Sequence, residues 1–256
     1  MRVRKVKGIG TTIHNVFGAN HWHWLVDSLP RIYSLVRAGL KERVTLLMPD
    51  ALTRVQRESL ACVLPPHFEA QFLPASTWVQ PDHLILPSYV SGRANGYLPA
   101  EYTAYLRDRI FSNLGLPADH VMKERIFISR AKAARRRLAN EGQVAALLAR
   151  FGFKSVALED LSFRQQAELF HGAEFVVAPN GAGLGNILFS GRIKVLVLYP
   201  DRPPNTYFLT QANALGQEHF FLTDSKPDEY CDFEIDLSAL ESILRNQWGI
   251  HPAAGR

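Results

Sequence analysis

The sequence predicts an α/β protein of two lobes, and three observations carry that reading. In the second half, short apolar runs alternate with amphipathic stretches at the spacing of parallel βαβ units. The first half repeats the alternation less regularly. Between them, Gly115-Leu116-Pro117-Ala118-Asp119 has the composition of a hinge. The lobes are expected to face each other across a cleft.

The second half is the clearer one. Arg125 to Ser129 reads as a strand followed by a basic loop. Asn140 with Gln143 three residues on reads as a capping box, opening a helix whose apolar stripe is Val144, Leu147, Leu148 and Phe151 and which Gly152 ends. Lys154 to Leu158 is the next strand, and Ser162 with Gln165 caps a helix running to about His171. Glu174 to Ala178 is a buried strand, followed by the glycine-rich turn Asn180 to Asn186. Val195 to Tyr199, Thr206 to Leu215 and His219 to Leu222 then read as strand, helix and strand. This order is Rossmann-like. In the first half, Trp22 to Ala38 reads as a helix that Pro30 should kink. Val44 to Met48 is a strand, Ala51 to Cys62 a helix, Phe68 to Leu73 and His83 to Leu86 strands, and Pro99 to Leu114 a helix.

Composition excludes several classes. The 256 residues are 47% hydrophobic and 21% charged, unlike a disordered or low-complexity chain. The richest apolar runs, such as Val195 to Leu198, are strand-sized and far short of the roughly 20 residues that span a bilayer. The basic start at Arg2, Arg4, Lys5 and Lys7 has no apolar segment behind it and does not read as a secretory signal. Cys62 and Cys231 form neither a disulfide framework nor a CxxC pair. Together these point to the cytoplasm. The net charge of +5 suits nucleic acid, an anionic membrane surface or a phosphorylated small molecule. Its two concentrations are the N-terminus, a candidate for peripheral contact with the inner face of a membrane, and the stretch from Arg130 through Lys132 to Arg135, Arg136 and Arg137.

Three constellations carry the chemistry. In Asn20-His21-Trp22-His23-Trp24-Leu25-Val26-Asp27-Ser28-Leu29-Pro30-Arg31, positions 23, 27 and 31 are four apart, so a helix offers a base, a carboxylate and a cation to one place, with Asn20 beside them. The plainer reading is an amphipathic helix whose core is Trp24, Leu25, Leu29 and Ile32. Ser129 and Arg130 end a strand, where open α/β sheets bind ligands, and an arginine there can grip a phosphate. Arg135 and Asn140 follow, with a solvated turn and a helix cap as their plain alternatives. In the turn Asn180-Gly181-Ala182-Gly183-Leu184-Gly185-Asn186, glycines and a helix start can approach a diphosphate. No Gly-Lys-Ser/Thr follows, so it is not a Walker A loop. Asp232-Phe233-Glu234-Ile235-Asp236 is the nearest thing to a D-x-D motif and reads instead as a solvated strand edge with its acids on one face.

Taken in order, these segments resemble glycosyltransferase family 61. They match its N-x-x-H-W-x-x-D-x-x-P-R, I-S-R…N-E and A-P-H-G-A-G-L-x-N patterns at Asn20 to Arg31, Ile128 to Glu141 and Ala178 to Asn186. The resemblance covers about residues 14 to 222. It implies a GT-B arrangement of two Rossmann-like lobes, residues 1–116 on the acceptor side and 117–256 binding the nucleotide-sugar. It also implies an inverting transfer to a polysaccharide or other glycan, such as a capsule, with no metal and no cofactor besides the donor. Asp27 is then the first choice for base, with His23 orienting it or acting itself. Asn20, Arg31, Ser129, Arg130, Arg135, Asn140, Asn180, Gly181, Ala182, Gly183, Leu184 and Asn186 are the candidate donor and substrate ligands. Two residues depart from the pattern. Asn180 stands where the family has histidine, and the strand Lys194 to Pro200 lacks the glutamate that could hold ribose hydroxyls. They motivate a rival, a degenerate transferase that binds a glycan or partner without turnover. A nucleic-acid binder built on Arg130 to Arg137 ranks last, because no aromatic residues interleave the cations.

Overall fold

The computed structural model describes residues 3–91, 96–117, 122–200, 205–223 and 227–252. Arg2 of the basic start, and Ala118 and Asp119 of the expected hinge, lie outside them. The chain divides into two compact units, Met1–Ala118 and Asp119–Arg256. Each is an α/β unit built on a parallel, Rossmann-like sheet.

The first unit runs β1 (Val3–Thr11), α1 (His21–His23), α2 (Arg31–Arg37), β2 (Val44–Pro49), α3 (Arg54–Val63), β3 (Phe68–Leu73), β4 (Trp78–Ile85) and α4 (Ala100–Leu114). Among the described residues its sheet has the order β3-β2-β1-β4, all parallel. β1 corrects the sequence reading. The basic run of Arg4, Lys5 and Lys7, to which the sequence reading gave no element, is an interior strand of this sheet. Its charges are exposed and obscure the apolar residues Val3, Val6 and Ile9 of the same strand. Gly8, at φ 81°, takes a left-handed conformation where the β1–β4 register shifts. Two residues on, a Cβ on Gly10 would stand 2.7 Å from Pro81, so glycine is what lets β4 pack there.

The segment expected as one helix over Trp22 to Ala38 is broken by Pro30, as its missing N–H and its ring require. A π turn spans Trp24–Ser28, and the Leu29 N–H reaches back five residues to the Trp24 carbonyl at 2.9 Å. Trp24, Leu25, Leu29 and Ile32 are fully buried as the amphipathic reading expects, but its solvated polar face is corrected, because Asp27, Ser28 and Arg31 are buried as well. Thr53 and Gln56 form a reciprocal capping box that starts α3 later than expected.

The second unit runs β5 (Glu124–Ile128), α5 (Glu141–Arg150), β6 (Lys154–Val156), α6 (Phe163–His171), β7 (Ala173–Pro179), β8 (Lys194–Tyr199), α7 (Tyr207–Ala214), β9 (Glu218–Thr223) and α8 (Leu237–Ser242). Its sheet order is β6-β5-β7-β8-β9, again all parallel. β7 and β8 are buried on both faces, which explains their unbroken apolar runs. One face packs Phe127, Phe175, Val177, Leu196 and Leu198 against α5, α8 and Trp248. The capping box at Ser162 and Gln165 forms as expected.

Two readings of this half are corrected. Asn140 makes no side-chain cap to α5; its Nδ2 donates to the Ile235 carbonyl (2.9 Å) and its Oδ1 accepts from the Ile235 N–H (3.2 Å). The segment around Asp232 to Asp236 is joined to the rest by an isolated Leu138–Phe233 bridge, not a regular strand. Phe233 and Ile235 point into the core, while Asp232 pairs with Arg137 and Asp236 caps α8. These acids serve the fold.

His219, on β9, has its Nε2 buried without a hydrogen-bond partner among the described residues. Burial pushes its imidazole down to about 4. The unfolded chain therefore takes up the proton first, and stability is lost as pH falls from about 6.5 through 4. The His219→Phe variant should show a flatter acid limb than the parent in urea unfolding followed between pH 7 and 4.

Candidate functional site

Parallel sheets bind ligands at the C-terminal ends of strands where successive connections leave in opposite directions. In the first unit that point lies between β1 and β4. His14 follows β1, Pro87, Tyr89 and Ser91 follow β4, and the π turn lies between them in sequence.

His23 and Asp27 meet there. His23 Nδ1 lies 2.6 Å from Asp27 Oδ2. The other carboxylate oxygen accepts from the Ser91 hydroxyl at 3.0 Å. An ionised carboxylate only accepts, so the neutral-imidazole tautomer that fits this contact has its proton on Nδ1 and its lone pair on Nε2. Asp27 is buried, whereas the His23 side chain is 26% exposed. Phe17 stacks on the imidazole at 5.0 Å and Trp22 meets it edge-on. Asn20 is the N-cap of α1, its side chain accepting from the Trp22 and His23 N–H groups, so its oxygen is spent on orienting His23.

Arg31 departs from its expected role. Its side chain is turned to backbone carbonyls: Nε and Nη2 donate to Pro87, and Nη1 to Ile13 (2.9 Å) and His14 (3.4 Å). The Tyr89 ring lies over the guanidinium at 5.1 Å. Burial pulls this guanidinium below its ordinary range, with Tyr89 and Asp27 opposing the shift. His14 is also held below its usual value, by burial first and by Arg31 second. Arg31 thus staples the loops after β1 and β4 and has its donors committed away from a diphosphate.

In the second unit the switch point lies between β5 and β7. Ser129 and Arg130 follow β5, and Asn180 and Gly181 follow β7. The Arg130 guanidinium lies against Gly181, where a Cβ would stand 2.2 Å from Nη1. Arg130 Nη2 donates to the Arg135 carbonyl (2.9 Å) and Nε to that of Arg136 (3.3 Å). Glu141 accepts from the Ser129 hydroxyl with one oxygen and from the Arg130 N–H at 3.2 Å with the other. Burial, then the neighbouring Arg136, pulls the Arg130 guanidinium below its ordinary range, with Glu159, Glu141 and Asp232 opposing the shift.

The glycine turn opens a 3-10 helix over Ala182–Phe189, where the sequence suggested an α-helix. Ala182 and Gly183 stand at its start, where N–H groups lack intrahelical acceptors, while the Leu184 N–H is taken by the Gly181 carbonyl at 3.1 Å. Ser129, Arg130, Gly181, Gly183 and Leu184 line one small pocket together with Glu159. Asn180 is buried beside it, its N–H completing the ladder to Leu198 at 2.8 Å. Asn186 lies elsewhere, fully buried and donating to Gln166 at 3.0 Å. The Arg135 side chain is exposed, and only its carbonyl takes part.

Two of the five cations of the basic stretch are neutralised by acids elsewhere in the unit. Lys132 pairs with Asp160 and Arg137 with Asp232, whose carboxyl is held below the usual range by the Arg137 backbone and side-chain donors. Sequence reasoning missed Ser91 and Glu159, which belong to no motif, and left Glu141 without a role although it stands in the Asn140-Glu141 pair.

If Arg31 is a staple, its loss is structural. Arg31→Ala should destabilise the protein by about 2–4 kcal/mol in urea unfolding, because carbonyls and a buried carboxylate lose their donor or counter-charge. Arg31→Lys should recover only part of this, since an ammonium cannot span all three carbonyls.

The chain was compared with known proteins. The family model described as Glycosyltransferase 61 matches residues 21–230, a span that includes both clusters. No curated protein matches the chain. The match covers most of the sequence, and on that ground the chain belongs to glycosyltransferase family 61 and is a glycosyltransferase.

Proposed function

We infer that this glycosyltransferase is inverting and metal-independent, and moves a sugar from a nucleotide-sugar donor onto a glycan acceptor with His23 as the general base. One observation carries the assignment: Asp27 is buried with both oxygens engaged, one by His23 and one by Ser91. This exchanges the roles first assigned from the sequence. Asp27 orients the imidazole and offsets the charge it gains, and Nε2 of His23 takes the proton.

The step is a single displacement. The acceptor hydroxyl loses its proton to His23 Nε2 as its oxygen bonds to the anomeric carbon, on the face opposite the phosphate. The bond from that carbon to the diphosphate breaks, and the nucleoside diphosphate leaves with the electron pair. Its developing charge needs fixed donors, which Arg130 and the Ala182 and Gly183 amides supply in this reading. The first unit serves the acceptor and the second the donor, and the GT-B arrangement belongs to the same proposal. A capsule or other surface polysaccharide, assembled in the cytoplasm or at the inner face of a membrane, suits such a donor. Among the described residues no helix is long and apolar enough to cross a membrane.

With the donor found from a nucleotide-sugar panel, His23→Ala should lower kcat by about 10²–10⁴-fold while leaving donor binding intact. Added imidazole should restore part of that rate. Restoration by formate in Asp27→Ala, with none by imidazole in His23→Ala, would return the base to Asp27. A wild-type chain that binds no nucleoside diphosphate overturns the reading.

A further inference from the structure

Glu159 is the one carboxylate that lines the pocket between β5 and β7 among the described residues, and the two acids tied to neighbouring segments, Glu141 and Asp160, are both engaged. Glu141 is engaged by Ser129 and by the Arg130 N–H. Asp160 holds Lys132 at 2.6 and 2.7 Å. Glu159 lines the pocket, is exposed, and forms no hydrogen bond or ion pair among the described residues.

Glu159 is nevertheless held in place. It is the middle residue of a 3-10 turn, Leu158–Asp160, that directly follows β6, the strand beside β5. Leu158 is buried and packs so closely on the glycine turn that a Cβ on Gly183 would stand 2.7 Å from its Cδ1. Gln166 Nε2 donates to the carbonyls of Leu158 (3.0 Å) and Leu161 (3.3 Å), and Asn186 in turn donates to Gln166. A fully tied turn thus presents one carboxylate that has no hydrogen bond or ion pair among the described residues, though it lies near enough to Arg130 to favour the charged guanidinium, at the rim of a pocket that also holds helix-start amides.

A lone carboxylate is a poor phosphate ligand, since it repels the anion. It is a good partner for a vicinal diol, whose two hydroxyls can donate to its two oxygens. In doubly wound sheets the strand next to the first carries an acid at its C-terminal end that reaches a ribose whose phosphates sit over the first strand and its helix start. β6 is likewise the strand beside β5, while the helix-start amides offered to the phosphates here follow β7, on the other side of β5. The strand after the glycine turn, Lys194–Tyr199, contains no acid that could do this instead.

The geometry points to Glu159 as the ribose-binding residue of this site, accepting hydrogen bonds from the 2′- and 3′-hydroxyls of a ribonucleoside diphosphate whose phosphates lie at Arg130 and the Ala182–Gly183 amides. It rests on the donor assignment made above, and deepens it by specifying a ribonucleotide.

The test is calorimetric titration of the full chain with UDP, GDP, ADP and CDP, each with its 2′-deoxy counterpart, and with inorganic pyrophosphate. The wild-type chain should favour the tightest ribonucleotide over its deoxy form by about tenfold. Glu159→Ala and Glu159→Gln should reduce that preference, to below about twofold in the alanine variant, while pyrophosphate binds both as well as wild type or better. Equal wild-type affinity for the two forms, or an alanine variant that keeps the preference, overturns the ribose assignment while leaving the donor reading intact. Binding of no nucleoside diphosphate at all overturns the donor reading and this inference with it.

Discussion

Arg31 reaches from the start of α2 to the carbonyls of Ile13, His14 and Pro87, which follow two strands that are neighbours in the sheet. A parallel sheet leaves such loops without ladder partners, and buried carbonyls must find donors elsewhere. One guanidinium, with its fork of fixed donors, meets the need from a single side chain. The loop after β4 carries Ser91, which holds Asp27, which holds His23. The position of the His23 imidazole therefore traces back to the staple. Pro30, which has no N–H to donate, stands between the π turn and α2, whose first residue is Arg31.

The second unit solves a similar problem with an anion. Glu141, at the start of α5, accepts from Ser129 and from the Arg130 backbone, tying the loop after β5 to the helix that follows it. The Arg130 side chain then folds back on the carbonyls of Arg135 and Arg136 and settles on Gly181. Arg136 accepts a left-handed φ of 57° to close this loop, a strain that the surrounding contacts of Tyr230 and Asp232 to the same segment support. The cation is oriented before any ligand arrives, which lowers the cost of binding an anion.

Much of the second unit was legible in the sequence because its signals are local. The capping box at Ser162 and Gln165 needs only residues three apart, and β7 and β8 announce themselves as unbroken apolar runs because both their faces are buried. β1 was missed because three exposed charges share it, and strand membership there is decided by β2 and β4, which pair with it from far along the chain. Asn140 was misread because its true partner is Ile235, ninety-five positions away, while the local pattern imitates a cap. The same holds for the site: His23 and Asp27 are four apart on a helical segment and could be paired by spacing, whereas Ser91 and Glu159 reach their places only through strand order.

The sequence by itself determined the α/β class, the order of the motifs and the polar residues within reach of them, because each depends on composition or on short spacing. Only the tertiary structure decided which of those residues remain free for chemistry. Asn20, Arg31, Asn140 and Asn186 are committed to caps, carbonyls and buried amides, while His23, Arg130 and Glu159 keep a face toward a pocket or solvent. The physical reason is that a polar side chain's availability depends on what else satisfies its hydrogen bonds. In a parallel sheet those partners come from strands and loops far apart in the chain.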